Sequence, residues 1–128
     1  MKHRVHVVED NLANRELLCD WLDAEGYEVF ASTNLNEAFH IARQSAPQIV
    51  LLDVELGGED GLSYESWLRD QPELRHIPVI AVTAHAMVTD RERILQAGCN
   101  AYIPKPVNFR ELRETLERWL APPARMNT

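Results

Sequence analysis

Short runs of consecutive apolar residues alternate along this chain with stretches whose apolar positions recur at helical spacing. Val5-His6-Val7-Val8 reads as a strand. Asn11 to Glu25 follows as a helix, with Leu18 and Leu22 one turn apart and Gly26 just past its end. Tyr27-Glu28-Val29-Phe30-Ala31 alternates more and predicts a second strand. Asn34-x-x-Glu37 is a capping-box pattern opening a helix through Ala38, Ile41 and Ala42. Beyond Pro47, Ile49-Val50-Leu51-Leu52 is apolar on both faces, which predicts a strand buried inside a sheet. The segment from Glu55 to Gly61 holds three of the five glycines and predicts a loop. Leu62 to Arg69 reads as a helix, and Pro72 and Pro78 bracket the entry to a further buried strand, Val79-Ile80-Ala81-Val82. Thr89-x-x-Glu92 predicts the cap of a helix that stops at Gly98. Ala101-Tyr102-Ile103 is a brief strand. Asn108-x-x-Glu111 opens the last helix, with Leu112, Leu116 and Leu120 on one stripe, and Pro122-Pro123 ends it.

Five strands alternating with five helices predict a doubly wound α/β domain, a parallel sheet covered on both faces with right-handed crossovers. The expected organisation is one domain over residues 1–121 and a polar tail or linker stub over residues 122–128. Ligands of such sheets bind beyond the carboxyl ends of the strands. Glu9 and Asp10 follow the first strand, Asp53 the third and Thr83 the fourth, and Lys105 lies two residues past the fifth. In the strand order 2-1-3-4-5 these five residues converge on one edge with Asp53 in the middle. Each alone has a structural explanation as a turn starter, a helix cap or a solvated charge. Together, three carboxylates repel one another, and a hard cation such as magnesium would relieve them and accept a phosphate oxygen. A hydroxyl and an ammonium beside them suit the remaining oxygens of a phosphoryl group.

Composition sharpens this picture. The 128 residues carry 13 Lys plus Arg against 20 Asp plus Glu, a formal charge of −7, which excludes a broad basic nucleic-acid surface. Only two of the basic residues are lysine, so Lys105 is a compact point charge retained at an interior position of an arginine-using chain. Cys19 and Cys99 form no Cys-x-x-Cys or Cys/His cluster and read as reduced thiols. The basic start is followed by no signal-length apolar run, because Glu9 and Asp10 interrupt it, and no run reaches membrane-spanning length. A soluble, cytoplasmic protein is expected.

Val-Val-Glu9-Asp10-Asn, Leu-Leu-Asp53-Val-Glu-Leu, Asp60-Gly61-Leu62, Ala-Val-Thr83-Ala-His-Ala-Met and Tyr102-Ile-Pro-Lys105-Pro106 together resemble the receiver domain of the two-component response regulators, from residue 4 to about residue 120. Ala-Glu-Gly26-Tyr27 and Gly98-Cys-x-Ala-Tyr102 are most similar to stand-alone and hybrid-kinase receivers. The resemblance implies that Asp53 is the phosphoacceptor. It implies that Asp10, Asp53 and the backbone carbonyl of Glu55 bind magnesium (manganese being the substitute), with Glu9 acting through metal-bound water. Thr83 and Lys105 contact the phosphoryl oxygens, and Tyr102 moves with Thr83. Glu55 and His85 occupy positions that tune autodephosphorylation, and the Lys105–Pro106 bond is expected to be cis. One departure stands out: Gly57 replaces a common proline and Glu59 a usually apolar residue. The glycines should loosen that loop, and Glu59 adds negative charge near the site.

The implied activity is acceptance of a phosphoryl group from a phosphohistidine on a sensor histidine kinase or histidine phosphotransfer protein. The protein is then a signalling switch, catalysing only its own phosphotransfer and autodephosphorylation. A downstream protein would read the face made by the fourth helix, the fifth strand and the fifth helix. No nucleic acid or membrane partner is expected, and the chain should be a monomer or weak dimer. No output domain is visible, so a stand-alone regulator is the expectation. The alternatives are a receiver portion of a longer hybrid kinase or multidomain regulator, and a docking module acting without phosphorylation. A haloacid-dehalogenase-like phosphatase wants Asp-x-Asp-x-Thr where this chain has Asp53-Val-Glu-Leu-Gly, and no phosphate-binding Gly-x-x-x-x-Gly-Lys-Ser/Thr loop exists.

Overall fold

A computed structural model describes residues 2–84 and 87–120. Five short segments form one parallel sheet: β1 (Arg4–Val8), β2 (Glu28–Ser32), β3 (Ile49–Asp53), β6 (Val79–Thr83) and β7 (Ala101–Pro104). Their order is β2-β1-β3-β6-β7, the expected order with two extra strands counted along the chain. Every residue of β3 and β6 is buried, as their unbroken apolar runs require. The crossovers are the helices α1 (Leu12–Ala24), α2 (Leu35–Ser45), α3 (Leu62–Arg69) and α4 (Val88–Gln96), and α5 (Phe109–Leu120) closes the domain.

The sheet has a core on each face. Leu18 and Leu22 of α1 and Leu112 and Leu116 of α5 pack with Val5, Val7, Leu51 and Ile80. On the other face Ala38 and Ala42, Leu62, Tyr64 and Leu68, and Ile94 bring in α2, α3 and α4. A polar group crosses this second core. His6 of β1 is fully buried, with Nδ1 2.9 Å from the Tyr64 hydroxyl and Nε2 against the Ser32 hydroxyl. Burial alone lowers the His6 pKa to about 3, so the ring is neutral in the folded protein.

Two of the three capping patterns read from the sequence, at Asn34 and Asn108, cap their helices, and Asn11 caps α1 as well. Asn11 Oδ1 accepts from the Asn14 N–H at 2.9 Å, Asn34 Oδ1 from Glu37 at 2.9 Å and Asn108 Oδ1 from Glu111 at 3.0 Å. In the capping box of α2 the return bond is displaced by one residue, because Glu37 Oε1 reaches back to the N–H and hydroxyl of Thr33. Thr89 is not a cap. Helix α4 already begins at Val88, behind Met87 with no side-chain cap, which places Thr89 inside the first turn.

The loop after Asp53 also differs from expectation. Glu55–Leu56 (β4) and Glu59–Asp60 (β5) form an antiparallel hairpin. Its two turn residues, Gly57 and Gly58, have φ of 49° and 94°. Positive φ at both positions is what a tight two-residue hairpin demands, and the two glycines supply it. Pro122 and Pro123 lie outside the described residues.

Candidate functional site

The carboxyl ends of β1, β3 and β6 and the segment after β7 meet at one edge of the sheet. β1 delivers Glu9, β3 ends on Asp53, β6 ends on Thr83, and Lys105 follows β7. Parallel register sets the depth: Leu52 pairs with Val8 and Ala81, and Thr83 pairs with Pro104. Glu9, Asp53 and Thr83 are buried, whereas Asp10 is exposed. One carboxylate oxygen from each of Glu9, Asp10 and Asp53 lies within 4.8 Å of the others.

Lys105 Nζ stands 2.8 Å from Glu9 Oε1 and 3.3 Å from Asp53 Oδ2. Asp53 Oδ1 accepts from the Glu55 N–H at 3.0 Å, and Glu9 Oε2 from the Asn11 N–H at 3.1 Å. Arg15 of α1 donates to the carbonyls of Glu9 and Asp10 at 3.1 and 3.3 Å, tying that turn to the helix. The Lys105–Pro106 peptide bond is cis.

Two buried carboxyl groups this close do not both ionise easily. Burial, then the hydrogen bond to Glu9 and the Glu9 charge, push the Asp53 pKa up to about 7. Burial acts to raise Glu9 as well, but Lys105, the hydrogen bond with Asp53 and the Asn11 N–H together carry it below its ordinary value. Burial acts to lower Lys105, and the two carboxylates outweigh it and raise its pKa. The pair therefore holds its proton on Asp53. A hard cation fits this arrangement on two counts: the donors are all oxygens, and its charge would offset both the burial and the Glu9 charge that favour the protonated Asp53.

Of the remaining candidates, Glu55 is exposed on β4 beside Asp53. Tyr102 is half-buried on β7, against the core under α2, α3 and α4, with the Arg91 guanidinium 4.9 Å from its ring centre. His85 lies outside the described residues. A feature not read from the sequence adjoins the acidic edge. A cleft of about 360 Å³ runs from Glu9 and Lys105 along Asn14, Leu17, Pro106 and Phe109. Leu12 and Leu17 are 60% and 56% exposed on α1, off the stripe made by Leu18 and Leu22. That offset was the available signal, since leucines away from the buried stripe of a helix have no core to enter.

The family model for the response regulator receiver domain matches residues 5–117. The chain belongs to that family. It is 47% identical over 120 residues to the polar-differentiation response regulator DivK of Brucella anthropi, an alignment covering 94% of this chain and 98% of the relative. DivK of Brucella ovis is 46% identical over the same span. Among solved structures, the receiver domain of a sensor histidine kinase from Pseudomonas aeruginosa PAO1 superposes with a TM-score of 0.87 at 34% identity, covering 95% of this chain and all (100%) of that one. That structure has a magnesium ion coordinated in its active-site cleft. A chemotaxis response regulator of Vibrio cholerae shares the fold at a TM-score of 0.86 and 23% identity, over 94% of this chain and 100% of that one. The protein is thus a receiver of two-component signalling, and its acidic cluster has the composition of a magnesium site. No helix among the described residues is long and apolar enough to cross a membrane.

Proposed function

We propose that this receiver accepts a phosphoryl group from a phosphohistidine onto Asp53 and thereby changes the surface it offers to a downstream protein. The observation that carries the reading is the Asp53 carboxylate at the end of the central strand, with Glu9 and Asp10 beside it and Lys105 bridging Asp53 and Glu9. An Asp53 oxygen attacks phosphorus in line, the phosphorus–nitrogen bond of the donor breaks, and the histidine leaves with the electron pair. Asp10, Asp53 and the Glu55 carbonyl would hold magnesium, with Glu9 reaching it through water. When bound, the ion neutralises charge on the phosphoryl oxygens. Lys105 exchanges its Asp53 contact for a phosphoryl oxygen while Glu9 keeps it aimed. The product is an acyl phosphate that water later hydrolyses, with Glu55 and His85 tuning its lifetime.

A sensor kinase or histidine phosphotransfer protein would approach over α1, where Leu12, Leu17 and the cleft beside Lys105 offer an apolar surface next to Asp53. The relatives named polar-differentiation response regulators, matched over 98% of their own length, support a stand-alone regulator in a phosphorelay; the downstream protein partner and the cytoplasmic location belong to the same proposal. Acetyl phosphate with magnesium, followed by peptide mapping, should give one acyl phosphate, on Asp53. Label on another residue, or labelling indifferent to EDTA, would refute the assignment.

Phosphorylation would draw the Thr83 hydroxyl toward the new oxygens and open space for Tyr102. Two states separated by a few kcal/mol are then biased by one modification. Thr83→Ala should leave phosphorylation intact and blunt the response. In NMR, beryllofluoride with magnesium should shift backbone signals from Thr83 through Tyr102 in the wild type. In Thr83→Ala the shifts should stay with the residues touching the anion, and an equal spread in both proteins would exclude the coupling.

A further inference from the structure

Among the described residues the β4–β5 hairpin has no strand neighbour besides itself, and two residues per strand is too little to hold a hairpin in water. Its anchors are therefore what fix it. Gly61 lies at one end, where its N–H donates to the Val54 carbonyl at 2.6 Å and any side chain would meet the Asp53 backbone. At the other end the Glu59 carboxylate does not face the acidic cluster. Its Oε1 accepts the N–H of Leu35, the first residue of α2, at 3.0 Å. An anion at a helix start is favourable in its own right, so the contact is held by charge as well as by a hydrogen bond. Between these anchors the turn is laid against the metal acids. A side chain at Gly57 would come 3.2 Å from Asp10 Oδ2, and the positive φ of Gly57 and Gly58 keeps the turn at that approach.

We infer that Glu59 is a positioning residue for the metal site: its bond to the start of α2 pins the hairpin so that the Glu55 carbonyl and Asp10 meet one cation. This rests on the metal ligands proposed above. Glu55 pairs with Asp60 and Leu56 with Glu59, so a shift of β5 moves β4 with it. The departure from the family pattern at Gly57 and Glu59 then makes sense as one device. Two glycines allow the close turn, and the glutamate ties it to a helix that the more usual apolar residue could not cap.

Positioning and plain charge attraction can be told apart by comparing amide with methyl. Glutamine keeps the acceptor for the Leu35 N–H but removes the charge, whereas alanine removes both. Magnesium affinity measured by isothermal titration on the folded, unphosphorylated protein is the readout. Glu59→Ala should weaken binding about tenfold, as loss of a residue orienting a metal ligand does, while Glu59→Gln stays within about twofold of wild type. In the wild type and Glu59→Gln the Leu35 amide should remain protected from hydrogen exchange, and in Glu59→Ala that protection should fall. Wild-type affinity in Glu59→Ala would overturn the inference. Equal weakening in both variants would overturn it too, since the charge would then be the only contribution. No magnesium binding by the wild type would remove the metal reading on which it stands. Should Glu59→Ala fail to fold, Gly57→Ala tests the same approach. Its methyl group against Asp10 should weaken magnesium about tenfold, and unchanged affinity would overturn the proposal.

Discussion

Asp53→Asn should give a protein that takes no phosphoryl group yet resists urea better than the wild type at pH 8 without metal. The loss of labelling is complete because an amide is no nucleophile for phosphorus here. The gain in stability comes from the site itself. Asp53 has a pKa pushed up to about 7 by burial and by Glu9, above its unfolded value. A carboxyl group of that kind favours the folded state while protonated, and the benefit disappears as pH rises through the folded pKa. At pH 8 the wild type carries the full penalty. Part of it is returned by Glu9, which shifts the opposite way, so the net effect is about 2 kcal/mol. Asparagine stays neutral, and its amide can donate to Glu9 as the protonated acid does. At pH 5 the difference between the two proteins should largely vanish. Saturating magnesium should stabilise the wild type at pH 8 and hardly change the variant. Equal urea midpoints at pH 8 would show that the acidic cluster is not strained.

Much of this architecture is legible in the chain because the signals are local. Unbroken apolar runs at Ile49–Leu52 and Val79–Val82 can only be interior strands, and the residues that follow interior parallel strands are where ligands bind. Glu9, Asp53, Thr83 and Lys105 fall together for that reason. The direction a side chain takes is not local. Glu59 reads as extra charge beside the cluster, but the structure turns it onto Leu35, 24 residues away. The β4–β5 hairpin is not legible because its strands are too short to alternate and three of their four residues are acids, although two adjacent glycines are a favoured tight-turn pair. Thr89-x-x-Glu92 misled because the helix starts one residue before it. His6 looks like one more residue of a strand, and its partners are 26 and 58 residues away.

That histidine gives the second large effect. Buried between Ser32 and Tyr64 with a folded pKa of about 3, His6 must stay neutral in the native protein, while the unfolded chain protonates it near 6.5. Below pH 6.5 the unfolded state binds the extra proton, so stability falls as pH falls, by about 1.4 kcal/mol per pH unit. Asp53 acts in the opposite sense over the same range. Its native form keeps a proton that the unfolded chain has released, so stability rises as pH falls from 7. Between pH 6.5 and 5 the two slopes oppose, and the metal-free wild type should show nearly flat stability. Each variant unmasks the other group. In Asp53→Asn, stability should drop by about 2 kcal/mol from pH 6.5 to 5. In His6→Gln, whose amide can bridge the Ser32 and Tyr64 hydroxyls and never charges, it should rise over that interval. The double variant should return to a flat profile at lower absolute stability than Asp53→Asn, because the amide fills the imidazole space imperfectly. Urea denaturation at fixed pH values measures all four. A steep acid loss surviving in the double variant would place the titrating group elsewhere. A flat profile in Asp53→Asn would mean that His6 reaches water or a proton acceptor when it charges.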